Sequence, residues 1–306
     1  VSDSNILFLP DIKYNVSMKK PLFTLLLVFI SFHFYAQTSQ NQTIDLRLDQ
    51  DRNLWQKFTY DFGNMIGGMG YAYSRPLYWK GKQWANFGYV AAGTTALYFV
   101  DDEIDEWSNQ WRPSIPDWLK DYGNEYGNPD NNYMVTGLVY LTGLFTDDEK
   151  LRRTGVLLIS SASAAGLFQQ VTKRIIGRAR PRANRGGDVF KPFHLDRVRN
   201  FDSFPSGHTI LGFTNAYAIA KQFESPWIKA GIYTVGIIPG MIRIVDRFHW
   251  VSDVAFSVAV SIFIVEAVDK YLDRKYDKKY NDVAKKSNFE WDLQLGLGSV
   301  GVVFRF

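Results

Sequence analysis

Three short stretches of this 306-residue chain hold residues that could do chemistry together: Lys173-x6-Arg180-Pro181, Pro205-Ser206-Gly207-His208 and Arg243-x5-His249-x3-Asp253. They supply cations, a hydroxyl, imidazoles and a carboxylate. Moving a phosphoryl group asks a protein mainly to hold it in line and to neutralise charge on its equatorial oxygens. Lys173, Arg180 and Arg243 are suited to that task, and the planar fork of arginine donates two parallel hydrogen bonds to phosphate. Pro181 ends a helix and fixes the backbone just after Arg180. A lysine or arginine taken alone is usually a solvated surface charge; here three of them accompany two histidines.

Ser206 and Gly207 precede an apolar segment. Ser206 is a plausible N-cap, and Gly207 lets backbone approach a ligand closely. The N–H groups at such a helix start attract phosphate, and the Ser206 hydroxyl adds a donor. Ser-Gly before a helix is otherwise merely a cap. Of the four histidines, His33 lies in an N-terminal apolar run and His194 in the loop between the first two stretches. His208 and His249 remain. Displacement at phosphorus needs one neutral imidazole to attack and another to protonate the leaving oxygen. His249 is the better nucleophile, because Asp253 lies one helical turn on and a carboxylate on one ring nitrogen orients the ring and stabilises its cationic form. His208 is then the general acid, and the base for water in a second step. Asp188, Asp196 and Asp202 have no metal-ligand spacing, so no metal site is expected, and no phosphate-binding or dinucleotide glycine pattern precedes a helix.

The elements that must hold these groups are six apolar segments, 84–100, 133–145, 154–172, 209–220, 228–242 and 254–265. Each is too long for an ordinary strand and reads as helix. A glycine- and aromatic-rich stretch, 54–79, contains a further helix. Between the first two segments lies an acidic, proline-broken loop. Its Trp107, Trp111 and Trp118 suit either a short amphipathic helix at an interface or a packed lid. A membrane span needs ~20 mostly apolar residues, and only 84–100 and 154–172 approach that. Gly, Ser and Ala are frequent in the segments, as in bundled membrane helices. The fold expected is all-α, a bundle of about six core helices, membrane-embedded, with a small terminal β-hairpin. A soluble periplasmic bundle is the alternative.

Hydrophobic residues are 46% of the chain, aromatics 16%, and the net charge is +4, with much of the basic excess in the run 173–185. That localisation suits an anion site and argues against a nucleic-acid binder, which spreads basic charge along a face. Cysteine is absent, which excludes disulfides, thiolate metal sites and a cysteine nucleophile. Met18-Lys19-Lys20, the apolar run 22–34 and Tyr35-Ala36-Gln37 resemble a bacterial secretory signal, although Phe34 stands where a small residue is preferred; an uncleaved anchor is the other reading. The organisation expected is an upstream segment (1–17), signal or anchor (18–36), strand and helix (37–83), a helical domain carrying the three motifs (84–268), and charged linker with hairpin (269–306). In the hairpin, Trp291, Leu293, Leu295 and Leu297 alternate with polar residues, Gly298 to Gly301 turn the chain, and the return strand pairs back, with 43–49 as a further partner.

Together the three motifs resemble the type 2 phosphatidic acid phosphatase family, which shares its site with bacterial acid phosphatases and vanadium haloperoxidases. The resemblance spans roughly residues 84–268. It implies Lys173, Arg180, Arg243, Ser206 and Gly207 around phosphate, His208 as acid, His249 as nucleophile and Asp253 as its partner. It also implies a bundle that often has six membrane helices, with no metal or cofactor. Ile242 and Val251 depart from residues common beside the family motif. The function expected is a metal-independent phosphatase acting on phosphomonoesters or pyrophosphates of membrane lipids through a phosphohistidine. Its site would face the periplasm, and its partners would be a phosphorylated lipid and the membrane, with no nucleic acid. A soluble periplasmic acid phosphatase, a vanadate-dependent haloperoxidase and a non-enzymatic membrane scaffold are the competing readings.

Overall fold

The computed structural model describes residues 52–193, 199–281, 290–296 and 299–305. Among them run nine α-helices: α1 (Leu54–Ser74), α2 (Gly81–Tyr98), α3 (Asp101–Trp111), α4 (Asp117–Tyr126), α5 (Pro129–Phe145), α6 (Glu149–Ile176), α7 (Gly207–Ala220), α8 (Pro226–Val245) and α9 (Val251–Asn281). Five of the six apolar segments lie within one of these helices, and the first, 84–100, runs two residues past the end of α2. The strand expected at 43–49 lies outside the described residues.

Local sequence sets the helix ends. Asn53 accepts a hydrogen bond from the Gln56 N–H at 2.9 Å while the Gln56 side chain accepts from the Asn53 N–H, a reciprocal cap that starts α1. Asp148 accepts from the Leu151 N–H at 2.9 Å and starts α6. Pro129 and Pro226 occupy first-turn positions of α5 and α8, where no intrahelical N–H is lost. At the far end of α6, Gly177 takes a left-handed conformation (φ 61°) and its N–H donates to the Lys173 carbonyl. A side chain would strain that backbone. The turn sends residues 178–183 back across the end of the bundle.

α6 is the central helix. Val156, Leu157, Leu158, Ala162, Ala164 and Ala165 are all but inaccessible along it. It packs against α5, α7, α1 and α9; α8 covers α7, and α4 lies on α8. One apolar core joins Met65 of α1, Tyr140 and Leu144 of α5, Leu157 of α6, and Val265, Val268 and Leu272 of α9. At the end of α6 remote from Gly177, Asp61 and Arg152, both fully buried, pair at 2.7 Å, and the Tyr276 hydroxyl donates to Asp61 at 2.8 Å. Removing one member would strand a buried charge, at a cost of about 3–5 kcal/mol.

The acidic stretch after residue 100 is helical, as one of its two readings expected: it folds into α3 and α4, and it is anchored, Asp101 and Asp105 being buried and paired with arginines from the far side of the sequence. The candidate spans differ from those expected. Among the described residues, three helices are by length and composition able to cross a membrane: α6, α8 and the Val251–Tyr276 part of α9. Helix formation extends α8 and α9 well beyond their apolar cores, whereas Lys82, Gln83 and Asn86 dilute the first turns of α2. Near the C-terminus, β1 (Glu290–Gly296) and β2 (Ser299–Arg305) pair antiparallel, Trp291 opposite Phe304 and Leu293 opposite Val302. The return strand starts at Ser299, within the stretch expected to turn.

α5 and α6 come together through glycines. A Cβ on Gly155 would lie 2.5 Å from the Tyr140 Cα, and one on Gly143 would lie 2.4 Å from the Arg152 nitrogen. Neither neighbour is a flexible side-chain end, so the helices must part. Gly155→Ala is expected to destabilise the protein by about 1–3 kcal/mol. Gly137→Ala, with nothing within 4 Å, is expected to stabilise it by about 0.5–1 kcal/mol. Thermal melts in detergent check the opposite signs; equal melting temperatures would contradict the close helix contact.

Candidate active site

The sequence-derived residues come from separate elements that end at the same place. Lys173 sits in the last turn of α6, Arg243 in the last turn of α8 and Asp253 in the first turn of α9. His208 is in the first turn of α7. Arg180 and His249 lie on the connections 177–206 and 246–250. Backbone bonds pin these connections together: Arg180 N–H to the Asn200 carbonyl (2.9 Å), Arg182 N–H to that of Arg247 (2.9 Å), and Ser203 N–H to that of Arg178 (3.1 Å). The Phe248 and His249 N–H groups both reach the Arg243 carbonyl, closing the turn after α8. His208 feels the charges of Arg243, His249, Lys173 and Arg180, so the two rings and three cations share one basin.

His249 is buried and its Nδ1 donates to the Ser203 carbonyl at 2.5 Å. A carbonyl can only accept, so Nδ1 carries the proton and Nε2 keeps a lone pair. The Asp253 Oδ2 is 3.8 Å from Nδ1, beyond hydrogen-bond length. The carboxylate reaches the ring indirectly: the Ser203 hydroxyl donates to Asp253 Oδ2 at 2.5 Å, and the carbonyl of the same serine takes the ring proton. The Trp250 N–H (2.9 Å) and Arg178 (2.8 Å) complete the bonds to Asp253. The direct carboxylate–imidazole contact expected from the four-residue spacing is therefore replaced by a serine bridge.

The cations gather on one ring. The guanidinium carbons of Arg182, Arg243 and Arg180 lie 4.0, 4.6 and 5.5 Å from the centroid of Phe248. Such stacking offers like-charged groups a shared negative π face. The Nε atoms of Arg180 and Arg243 are buried with no hydrogen-bond partner. An unmet buried donor is costly, and two of them beside buried Lys173 mark a place prepared for an anion. Burial, with Arg182 nearby, lowers the pKa of Arg180 to about 10. Arg243 also contacts His208 Nε2; a guanidinium can only donate, so this nitrogen accepts and carries no proton.

Ser206 caps α7 by backbone conformation alone, with no side-chain cap bond. It is fully buried; its N–H donates to Ser257 Oγ and its hydroxyl accepts from Thr209, both at 2.8 Å. Ser257 bonds in turn to the Asp253 carbonyl at 2.6 Å, so the first turns of α7 and α9 are tied together. Gly207 admits Gln169 of α6: a Cβ there would sit 3.1 Å from its Nε2.

Phe248, Ser203, Arg178 and Asp101 were not singled out from sequence. Arg178 offered one signal, its place inside the basic run. The others offered none, because their importance arises only from tertiary contacts.

Known proteins bear on this arrangement. Residues 154–276 match the model of the PAP2 superfamily. The chain is 40% identical over 67 residues to a lipid A 1-phosphatase of Porphyromonas gingivalis, a stretch that covers 21% of this chain and 15% of that protein. It is 32% identical over 108 residues to lipid A 1-phosphatases of Rhizobium etli and Rhizobium johnstonii, covering 34% of this chain and 44% and 42% of those proteins. The aligned stretch thus spans less than half the length of each of these curated relatives. The matched segment carries every clustered side chain from Lys173 to Asp253; over residues 154–276 the chain is similar to the PAP2 superfamily, and over shorter stretches to bacterial lipid A 1-phosphatases.

Proposed function

We propose that the chain is an envelope phosphatase that hydrolyses a lipid-borne phosphomonoester through a phosphohistidine at His249, with the 1-phosphate of lipid A as the leading substrate. The observation that carries this reading is the pairing of an available His249 Nε2 lone pair with the unpartnered donors of Arg180 and Arg243 in one basin.

The chemistry follows from the positions. Phosphate oxygens take the donors of Lys173, Arg180 and Arg243 and the N–H groups at the start of α7. Nε2 of His249 attacks phosphorus along the line of the leaving oxygen; a P–N bond forms and the P–O bond to the lipid breaks. His208 protonates the departing oxygen. A phosphate dianion favours this by engaging Arg243 and by placing negative charge beside the ring, which raises its proton affinity. Water, deprotonated by His208, then attacks phosphorus, the P–N bond breaks, and inorganic phosphate leaves. No step calls on a metal.

A lipid substrate is supported by where the basin lies. α6, α8 and α9 are the three candidate spans, and the basin sits where α6 and α8 end and α9 begins. That is the depth of a lipid phosphate in a bilayer. Trp107 and Trp111 of α3 are exposed beside the same end, as suits residues at a membrane interface. A site facing the periplasm is part of the proposal.

The test is phosphate release by purified protein from lipid A, phosphatidate, phosphatidylglycerol phosphate, polyprenyl diphosphate and a soluble aryl phosphate. Release is expected from a lipid phosphomonoester, undiminished by EDTA and abolished in His249→Ala. Loss in EDTA that added metal restores, or halogenation with peroxide and bromide, would overturn the reading.

The neutral imidazoles have a further consequence. Burial, the largest cause, lowers the pKa of His208 to about 2 and that of His249 to about 3. Unfolded histidine titrates near 6.5. Below pH 6.5 the unfolded chain takes up protons that the folded form refuses, so stability present above pH 6.5 is lost as pH falls toward the folded values. His208→Gln is expected to flatten the decline in melting temperature between pH 6.5 and 4.5; a slope equal to that of the wild type would contradict a buried neutral His208.

A further inference from the structure

We propose that Arg178 and Asp101 are a positioning pair for the reaction above: Arg178 holds Asp253 in its bridge to Ser203, and Asp101 holds Arg178. The inference rests on the proposed function for its meaning, and it reaches outside the 154–276 segment, because Asp101 belongs to α3.

Arg178 is buried and every part of its fork is in use. Nε donates to the Gly187 carbonyl at 2.9 Å. One terminal nitrogen donates to Asp253 Oδ1 and to Ser252 Oγ, both at 2.8 Å, and the other to Asp101 Oδ2 at 2.7 Å. Its two neighbouring rings, Tyr98 and Trp250, have centroids 4.8 and 5.2 Å from the guanidinium carbon. With all three of its nitrogens bonded to protein groups, this guanidinium is held between Asp101 and Asp253, which separates it from Arg180 and Arg243 and their unpartnered Nε atoms. Asp101 in turn accepts from the Ser252 N–H at 3.0 Å and the Ser252 hydroxyl at 2.5 Å. A carboxylate at the start of α9 is favoured there by the helix dipole.

The pair has an electrostatic as well as a mechanical effect. Lys173 from α6, Arg180 from the following connection, His208 from α7 and Asp253 from α9 all face His249. Asp253 is the anion in that set, and Arg178 compensates it. Without the guanidinium, a buried carboxylate would stand uncompensated beside the imidazole and draw a proton onto it. A protonated ring has no lone pair for phosphorus. With Arg178 in place the carboxylate spends its oxygens on Arg178, Ser203 and the Trp250 N–H, and the ring proton goes to a neutral carbonyl.

The experiment reads the ring directly and needs no turnover. Protein labelled with nitrogen-15 at its four histidines is titrated by NMR in detergent, with His249→Gln to assign the signal. Arg178→Gln is expected to raise the pH at which the His249–Asp253 pair takes up its proton by at least about one unit. Asp101→Asn keeps the guanidinium and is expected not to raise it. In parallel, Asp101→Asn is expected to lower kcat on a soluble aryl phosphate about tenfold with KM within twofold, as befits a misaimed nucleophile. An unshifted midpoint in folded Arg178→Gln overturns the proposal. Should that variant fail to fold, an unchanged kcat in Asp101→Asn overturns it instead. Wild-type protein that releases no phosphate from any ester would count against the proposed function, and the NMR titration would still decide the role of Arg178.

Discussion

Burying positive charge is the constraint around which this end of the bundle is organised. Arg180, Arg182 and Arg243 crowd one face-rich residue, Phe248, with buried Lys173 in the same basin. Like charges brought together away from water repel strongly. The fold meets part of that repulsion with aromatic stacking. Asp202 contributes its carbonyl to Arg180 and its carboxylate to Arg174. The Nε donors of Arg180 and Arg243 are left without partners, and under the proposed function the phosphate of the substrate takes such donors.

A second layer of charge lies behind the first and is closed on itself. Asp101, Arg178, Ser252, Asp253 and Ser203 satisfy one another. Asp105 does the same for Arg247, which takes a left-handed backbone conformation (φ 56°) just before Phe248 and His249. That conformation is uncommon outside glycine, and the Asp105 pair fixes the residue in it. Two acidic residues of α3 therefore steady the connection that carries His249, the proposed nucleophile. Under that proposal the cationic layer serves the substrate and the anionic layer positions His249.

Much of this was legible in the chain. The six apolar segments mark helices because burial of one face or of a whole helix leaves a pattern local enough to read. The three motifs name the cationic and imidazole groups because those residue types do one kind of chemistry. What escaped is tertiary. Asp101 meets Arg178 across 77 residues, and no spacing rule foretells such a pair; the α3 stretch accordingly read as a short helix or a lid, with no link to the site. The four-residue step from His249 to Asp253 suggested one helical face, yet α9 begins only at Val251. His249 therefore lies outside the helix, the face rule does not apply to it, and Ser203 bridges the gap. The apolar cores of α8 and α9 looked too short to span a membrane because their charged or polar ends, Arg243 and Asp253 among them, belong to the site.

The central claim is that the Nε2 of His249 takes the phosphoryl group. It is tested most directly by mixing enzyme with a slowly hydrolysed aryl phosphate, quenching in alkali, where phosphohistidine survives, and sequencing the peptides by mass spectrometry. A phosphoryl group on His249, formed within one turnover and accumulating in His208→Ala with an activated leaving group, is the expected result. A phosphoryl group on Ser206 or any other residue, or hydrolysis in a single step with no adduct and with inversion at phosphorus, would contradict it.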